Sequence, residues 1–191
     1  SNLAIAVNPE MEYALIAQPM ASEVVVVASE LARTHFPNLS EDPSDSAPWI
    51  LGSVKGEKLV GIEYQPLFPY FTKEREHKGF RIYGAEFVTA TEGTGLVHLA
   101  AFGEDDVLLF QKHGLNIVDP VDEDGRFTEA ASDFAGLNVK EADPKIISHL
   151  KAAGNLVAQK TIEHSYPFCW RTDTPLIYKT IPTWFVKVEA I

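Results

Sequence analysis

The chain has 191 residues, of which 46% are apolar and 23% charged, with a formal net charge of −11 and one cysteine, Cys169. This is the composition of one large globular domain; a single cysteine excludes a disulfide framework and a cysteine-based zinc knuckle. The acidic balance argues against holding nucleic acid by broad phosphate neutralisation, though not against contact with one nucleotide end.

No apolar run approaches the roughly 18–20 residues of a membrane span, and no signal-peptide pattern is read at the start. A reduced, cytoplasmic setting with no membrane partner is the expectation. Both ends fall on strand-like runs, SNLAIAVNP and TWFVKVEAI, so residues 1–191 are expected to be a single domain excised from a longer chain.

In chain order, residues 3–7 and 13–17 are short apolar runs separated by the turn signal Asn8-Pro9. Residues 24–28 are β-branched and continuous, as in a buried strand. Ser29 is placed to cap a helix over 30–35, which Pro37 ends. Residues 38–48 are polar with two prolines and read as loop. Runs 49–54 and 58–64 flank Lys55-Gly56-Glu57 at hairpin spacing. The charged KEREHK stretch reads as an exposed loop or short helix, and 80–83, 86–91 and 96–100 as strands. A helix is predicted over 105–113 with Gly114 as its stop, then a turn at Asp124-Gly125. Asp143-Pro144 opens a second helix, with Ile146, Ile147 and Leu150 on one face and Gly154 closing it. Strands are predicted at 156–162, 176–180 and 184–188. The sum is an α+β fold: a largely antiparallel, β-barrel-like core with about three peripheral helices.

GTGLVHLAAFGEDD, residues 93–106, is the densest candidate site. Gly93 and Gly95 allow a tight turn or a close approach to a ligand, but no Gly-Lys-Ser/Thr follows, so this is not a phosphate loop. By residue type, His98 is either a hydrogen-bonded core histidine or a chemical group. Asp105 and Asp106 fit a helix start, where carboxylates meet free N–H groups and the dipole. That explains one aspartate better than three consecutive acids, because like charges repel. His98 with Glu104 or Asp106 offers mixed N/O metal ligands, at a spacing that matches no known ligand pattern. A nucleophile triad lacks the G-x-S-x-G elbow, and Cys169 lies among aromatics. HSYPFCWR, residues 164–171, supplies Tyr166, Phe168 and Trp170 as a base-stacking platform or as core, and Arg171 for a phosphate or a carboxylate.

Together these stretches resemble the editing (connective peptide 1) domain of isoleucyl-tRNA synthetases. The residues that carry the resemblance are Gly93-Thr94-Gly95-Leu96-Val97-His98 and Phe102-Gly103-Glu104-Asp105-Asp106. Pro120-Val121-Asp122, Asp124-Gly125, Phe127-Thr128, HSYPFCWR, Thr174-Pro175-Leu176-Ile177-Tyr178 and Trp184-Phe185-Val186 add to it. The match runs over the whole chain, and the second half is most similar to the eukaryotic-like branch that some bacteria also carry.

The resemblance implies hydrolysis of valine misattached to isoleucine tRNA, and possible action on valyl-adenylate. It implies as partners the tRNA(Ile) 3′ end and the remainder of the synthetase, with ATP binding left to the parent enzyme. No cofactor and no metal are expected in this domain, and a monomer is expected. Residue by residue, Asp106 matches the aspartate that holds the substrate α-ammonium. His98 matches the histidine that walls the side-chain pocket, and by type it is also a general-base candidate. Gly93, Thr94 and Gly95 match the segment against the terminal adenosine, and Phe102 and Gly103 belong to the same substrate-binding stretch. Asn2 matches an asparagine just after the family's threonine-rich peptide, which would lie immediately before Ser1. The family's H-x-A-P-x-F-G pattern is one residue shorter here, where Ala100, Ala101 and Phe102 are consecutive and no proline intervenes. The competing class is a non-catalytic module that binds the tRNA 3′ end.

Overall fold

The computed structural model describes residues 3–18, 23–44, 46–91, 93–100, 102–159, 161, 165–181, 183–184, 186 and 188. They fall into two compact units, one of Ser1–Ala100 with Leu108–Ile117, the other of Ala101–Val107 with Val118–Ile191. The class is α+β, as expected. The described strands form two three-stranded sheets and not one closed barrel.

Both sheets belong to the first unit. In one, β1 (Ala4–Val7) lies between β5 (Arg81–Gly84) and β6 (Leu96–Leu99). The β1–β5 pair is parallel, an exception to the antiparallel expectation, and the β1–β6 pair is antiparallel. In the other, β2 (Glu12–Gln18) is flanked by β3 (Glu23–Ala28) and β4 (Trp49–Lys55), both antiparallel to it. Val7 and Ile82 from the first sheet and Tyr13, Ile16 and Val27 from the second share one buried cluster. That shared burial supplies the hydrophobic drive that two small sheets need. The tight turn from β1 to β2 forms at Asn8-Pro9, where Asn8 Oδ1 accepts from the Glu10 N–H at 3.1 Å.

Several expectations are corrected in this unit. The 24–28 run is a strand, but only its Val27 and Ala28 end is buried, and Val24 is exposed. Ser29 does not cap a helix with its side chain. It starts a 3-10 turn, Ser29–Leu31, that leads into α1 (Ala32–His35). Lys55-Gly56-Glu57 does not turn a hairpin. Gly56 opens a 3-10 turn to Lys58, and a side chain there would collide with the Asn8 carbonyl. Past it, 58–64 makes only the bridge Glu63↔Arg81. Residues 86–91 are no strand, because the Val88 carbonyl is taken by Asn8 Nδ2 at 3.0 Å and not by a ladder. KEREHK, expected as an exposed loop or short helix, supplies all but the first residue of a 3-10 segment, Thr72–His77, with Lys78 just past its end.

α2 (Glu104–His113) ends as predicted at Gly114, which takes φ +70°. In the second unit, α3 (Val139–Ala152) starts four residues before Asp143, capped by Asn138 Oδ1 on the Lys140 N–H at 3.0 Å. Pro144 therefore sits inside the helix, and Gly154 closes it at φ +74°. Asp122 Oδ1 accepts from the N–H groups of Asp124 and Arg126 and forms the predicted turn at Gly125. Phe134, buried, packs its ring against Phe127 and His149. The described residues of 156–161 and 176–181 form no strand, and part of 184–188 lies outside the described residues.

Candidate active site

The Gly93–Gly95 loop is built by the first unit. Both glycines have left-handed backbones, φ +69° and +77°, which other residues adopt only at a cost. A side chain on Gly95 would also collide with Ala28 Cβ, whereas one on Gly93 would meet nothing within 4 Å. Three successive carbonyls of this loop are hydrogen-bonded. His35 Nε2 donates to Gly93 O at 2.6 Å, the Ala28 N–H to Thr94 O at 2.8 Å, and the Tyr13 hydroxyl to Gly95 O at 2.8 Å. The Thr94 hydroxyl turns back onto Leu96 O at 3.3 Å.

His98 lies on β6, an edge strand, opposite Ile5. Alternation along the strand puts it on the face of Leu96, which packs on the core cluster. The histidine itself is exposed, so the core-histidine reading is set aside. Part of the ring reaches solvent, yet the protein around it displaces enough water to make a charge unfavourable, and its pKa is lowered from the ordinary histidine value. At neutral pH His98 is an uncharged ring.

Phe102, Gly103 and Asp106 belong to the second unit. The Gly103 carbonyl accepts the first helical bond of α2, from the Val107 N–H at 3.1 Å. A side chain on Gly103 would meet nothing within 4 Å. Glu104, Asp105 and Asp106 fill the first turn of α2, where the helix dipole favours carboxylates. Glu104 and Asp105 are exposed, whereas Asp106 and Phe102 are half-buried. The three acids therefore divide into two solvated helix-start residues and one that faces protein. Asn2 lies outside the described residues.

In HSYPFCWR, His164 lies outside the described residues. Tyr166 and Phe168 meet edge-on at 6.0 Å, and the Tyr166 hydroxyl donates to Leu176 O at 2.7 Å. Trp170 is 85% exposed, with the Arg171 guanidinium over its ring at 4.6 Å. A hydrogen bond with the Thr172 side chain, first among its causes, lowers the pKa of the half-buried Cys169 thiol. Among the described residues, no three His, Cys, Asp or Glu side chains come together as a metal site. No described helix is long and apolar enough to cross a membrane. Sequence reading missed Tyr13 and His35 as partners of the glycine loop, and nothing in their local sequence signals that role.

No protein-family model matches the chain. Curated relatives match all of it. The isoleucine–tRNA ligase of Bdellovibrio bacteriovorus is 46% identical over 192 residues. That of Tetrahymena thermophila is 43% identical over 196 residues. The cytoplasmic isoleucine–tRNA ligase of Saccharomyces cerevisiae is 42% identical over 197 residues. The chain spans 18% of the length of each. A solved chain described as the crystal structure of GlLeuRS-CP1 shares the fold, with a TM-score of 0.58 and 16% identity over 85% of this chain and 79% of that one. The chain is therefore homologous over its whole length to one segment of the isoleucine–tRNA ligases, and it shares its fold with GlLeuRS-CP1.

Proposed function

We propose that residues 1–191 act as a single editing domain of an isoleucyl-tRNA synthetase, an aminoacyl-ester hydrolase that removes valine misattached to tRNA(Ile) and spares isoleucine. The observation that carries this reading is one chain that matches isoleucine–tRNA ligases end to end while folding like GlLeuRS-CP1. Its partners would be the tRNA 3′ end and the rest of the synthetase, in the cytoplasm, with the domain monomeric.

The chemical need is physical. Isoleucine exceeds valine by one methylene, which for this very pair is known to be worth only about 1–3 kcal/mol of discrimination, so a second, hydrolytic sieve is required. In the proposed reaction Asp106 holds the α-ammonium by a charge-assisted hydrogen bond and orients the ester carbonyl. Water attacks the carbonyl carbon, the tetrahedral centre collapses with loss of the ribose oxygen, and the leaving oxygen takes a proton. His98 limits side-chain size as a neutral wall. Gly93, Thr94, Gly95, Phe102, Gly103 and Asn2 would bind the aminoacyl-adenosine end. The scheme uses no metal or cofactor, so chelator is expected to leave it intact.

The test is deacylation by the full-length synthetase that carries this segment. Asp106→Ala is expected to lower kcat/KM for Val-tRNA(Ile) about 10- to 100-fold, the scale of a lost hydrogen bond to a charged group. His98→Ala is expected to raise hydrolysis of correctly charged Ile-tRNA(Ile) about ten-fold. Wild-type rates in Asp106→Ala sink the assignment of the anchor. If the unsubstituted enzyme binds a non-hydrolysable valyl-adenosine analogue but never turns over, the domain is a binding module instead.

A further inference from the structure

The three bonds that hold the Gly93–Gly95 loop come from three elements: His35 at the end of α1, Ala28 at the end of β3 and Tyr13 at the start of β2. Two of the donors are side chains. The Tyr13 hydroxyl is itself fixed, because it accepts from the Asn8 N–H at 2.9 Å while it donates to Gly95 O. Burial raises the pKa of Tyr13, so its hydroxyl stays a donor at neutral pH. The Gly93 carbonyl can only accept, which requires a proton on His35 Nε2.

We propose that His35, together with Tyr13, is a positioning residue of the editing site: it anchors the Gly93–Gly95 loop in the conformation that receives the terminal nucleoside of the aminoacylated substrate. The proposal rests on the editing reading, which places that nucleoside against this loop. A loop with two left-handed glycines is intrinsically mobile, and one tied at each carbonyl does not have to be ordered by the ligand. Tyr13 also fills the core and is fully buried. His35 is half-buried and takes no part in the core cluster. Its bond to Gly93 is exposed, so its loss should release the loop without unfolding the unit.

The experiment compares His35→Ala and His35→Gln in the full-length synthetase, with Val-tRNA(Ile) deacylation measured under saturating and subsaturating substrate. His35→Ala is expected to raise KM about three- to ten-fold, the range spanned by one net hydrogen bond, while kcat changes less than about two-fold. The melting temperature and aminoacylation rate should stay at their wild-type values. In His35→Gln the side-chain amide N–H takes the place of Nε2–H, and KM should return to near wild type. An unchanged KM in His35→Ala overturns the proposal. So does a Gln variant as impaired as the Ala variant, or a fall in kcat that tracks lost stability. A wild-type enzyme without deacylation overturns the editing reading and this one with it, whereas an active wild type with a kinetically silent His35→Ala overturns the loop role alone.

Discussion

Gly95 carries two independent requirements. Its φ of +77° disfavours any side chain, and the Cβ of Ala28 occupies the space a side chain would need. Gly103 carries neither, since it is absent from the left-handed residues and a Cβ there meets nothing within 4 Å. Gly95→Ala is therefore expected to destabilise the first unit by at least about 2 kcal/mol, from left-handed strain plus overpacking. Gly103→Ser, which keeps a residue suited to the start of α2, should change stability by less than about 0.5 kcal/mol. Chemical denaturation of the two variants decides the point: equal losses would show that crowding at Ala28 does not set the residue at 95. The same contrast separates the glycines functionally. Gly95 is demanded by the fold, whereas no contact within 4 Å demands a glycine at 103.

At the scale of elements, α3 shows what a local rule can miss. Asp143-Pro144 has the form of a helix start, but Asn138 caps the helix five residues ahead of Asp143. Pro144 then falls where its missing N–H costs the Lys140 carbonyl a helical donor, and Lys140 is exposed, so the loss is tolerated. Asn138→Ala is expected to remove the only side-chain bond at that N-terminus shown among the described residues and to destabilise the second unit by about 1 kcal/mol. Thermal unfolding checks it, and an unchanged midpoint would return the helix start to Asp143. The apolar runs of β1, β2 and β5 were legible because those strands bury apolar residues of the run, whereas β4 pairs as a strand with Ile50 and Leu51 exposed and β6 buries only Leu99. Residues 55–57 and 86–91 were not, because their backbones are satisfied by Asn8, Met11 and Pro9 from elsewhere in the chain. The site divides the same way. Glycine spacing and the acid triplet marked the loop and the helix start, whereas the donors His35 and Tyr13 stand 58 and 82 residues from the carbonyls they hold. No local pattern encodes a contact of that range.

At the scale of the whole molecule, a net charge of −11 opposes a polyanionic partner. The proposed encounter is therefore with one aminoacylated end and not with a long stretch of phosphate backbone. Among the described residues, two histidines with lowered pKa values contribute to the response to acid. His98 is lowered by desolvation, and His113, beside the Tyr83 ring at 4.7 Å, is lowered by desolvation and then by Lys112 and Lys78. In the unfolded chain both take up protons near pH 6.5. In the folded chain they do so only at lower pH. Just below about pH 6.5 the unfolded state thus binds more protons, and acidification favours unfolding. Their contribution to stability is complete above the unfolded value and is lost as pH falls through the depressed folded values. Melting curves at pH 7.5 and 5.5 are expected to show a larger drop for the wild-type chain than for a His98→Gln, His113→Gln double variant, whose neutral amides do not titrate. The difference between the two drops isolates the histidines from the carboxylates common to both proteins. If acidification lowers both midpoints equally, the acid response belongs to the carboxylates, and the two histidines carry no measurable part of it.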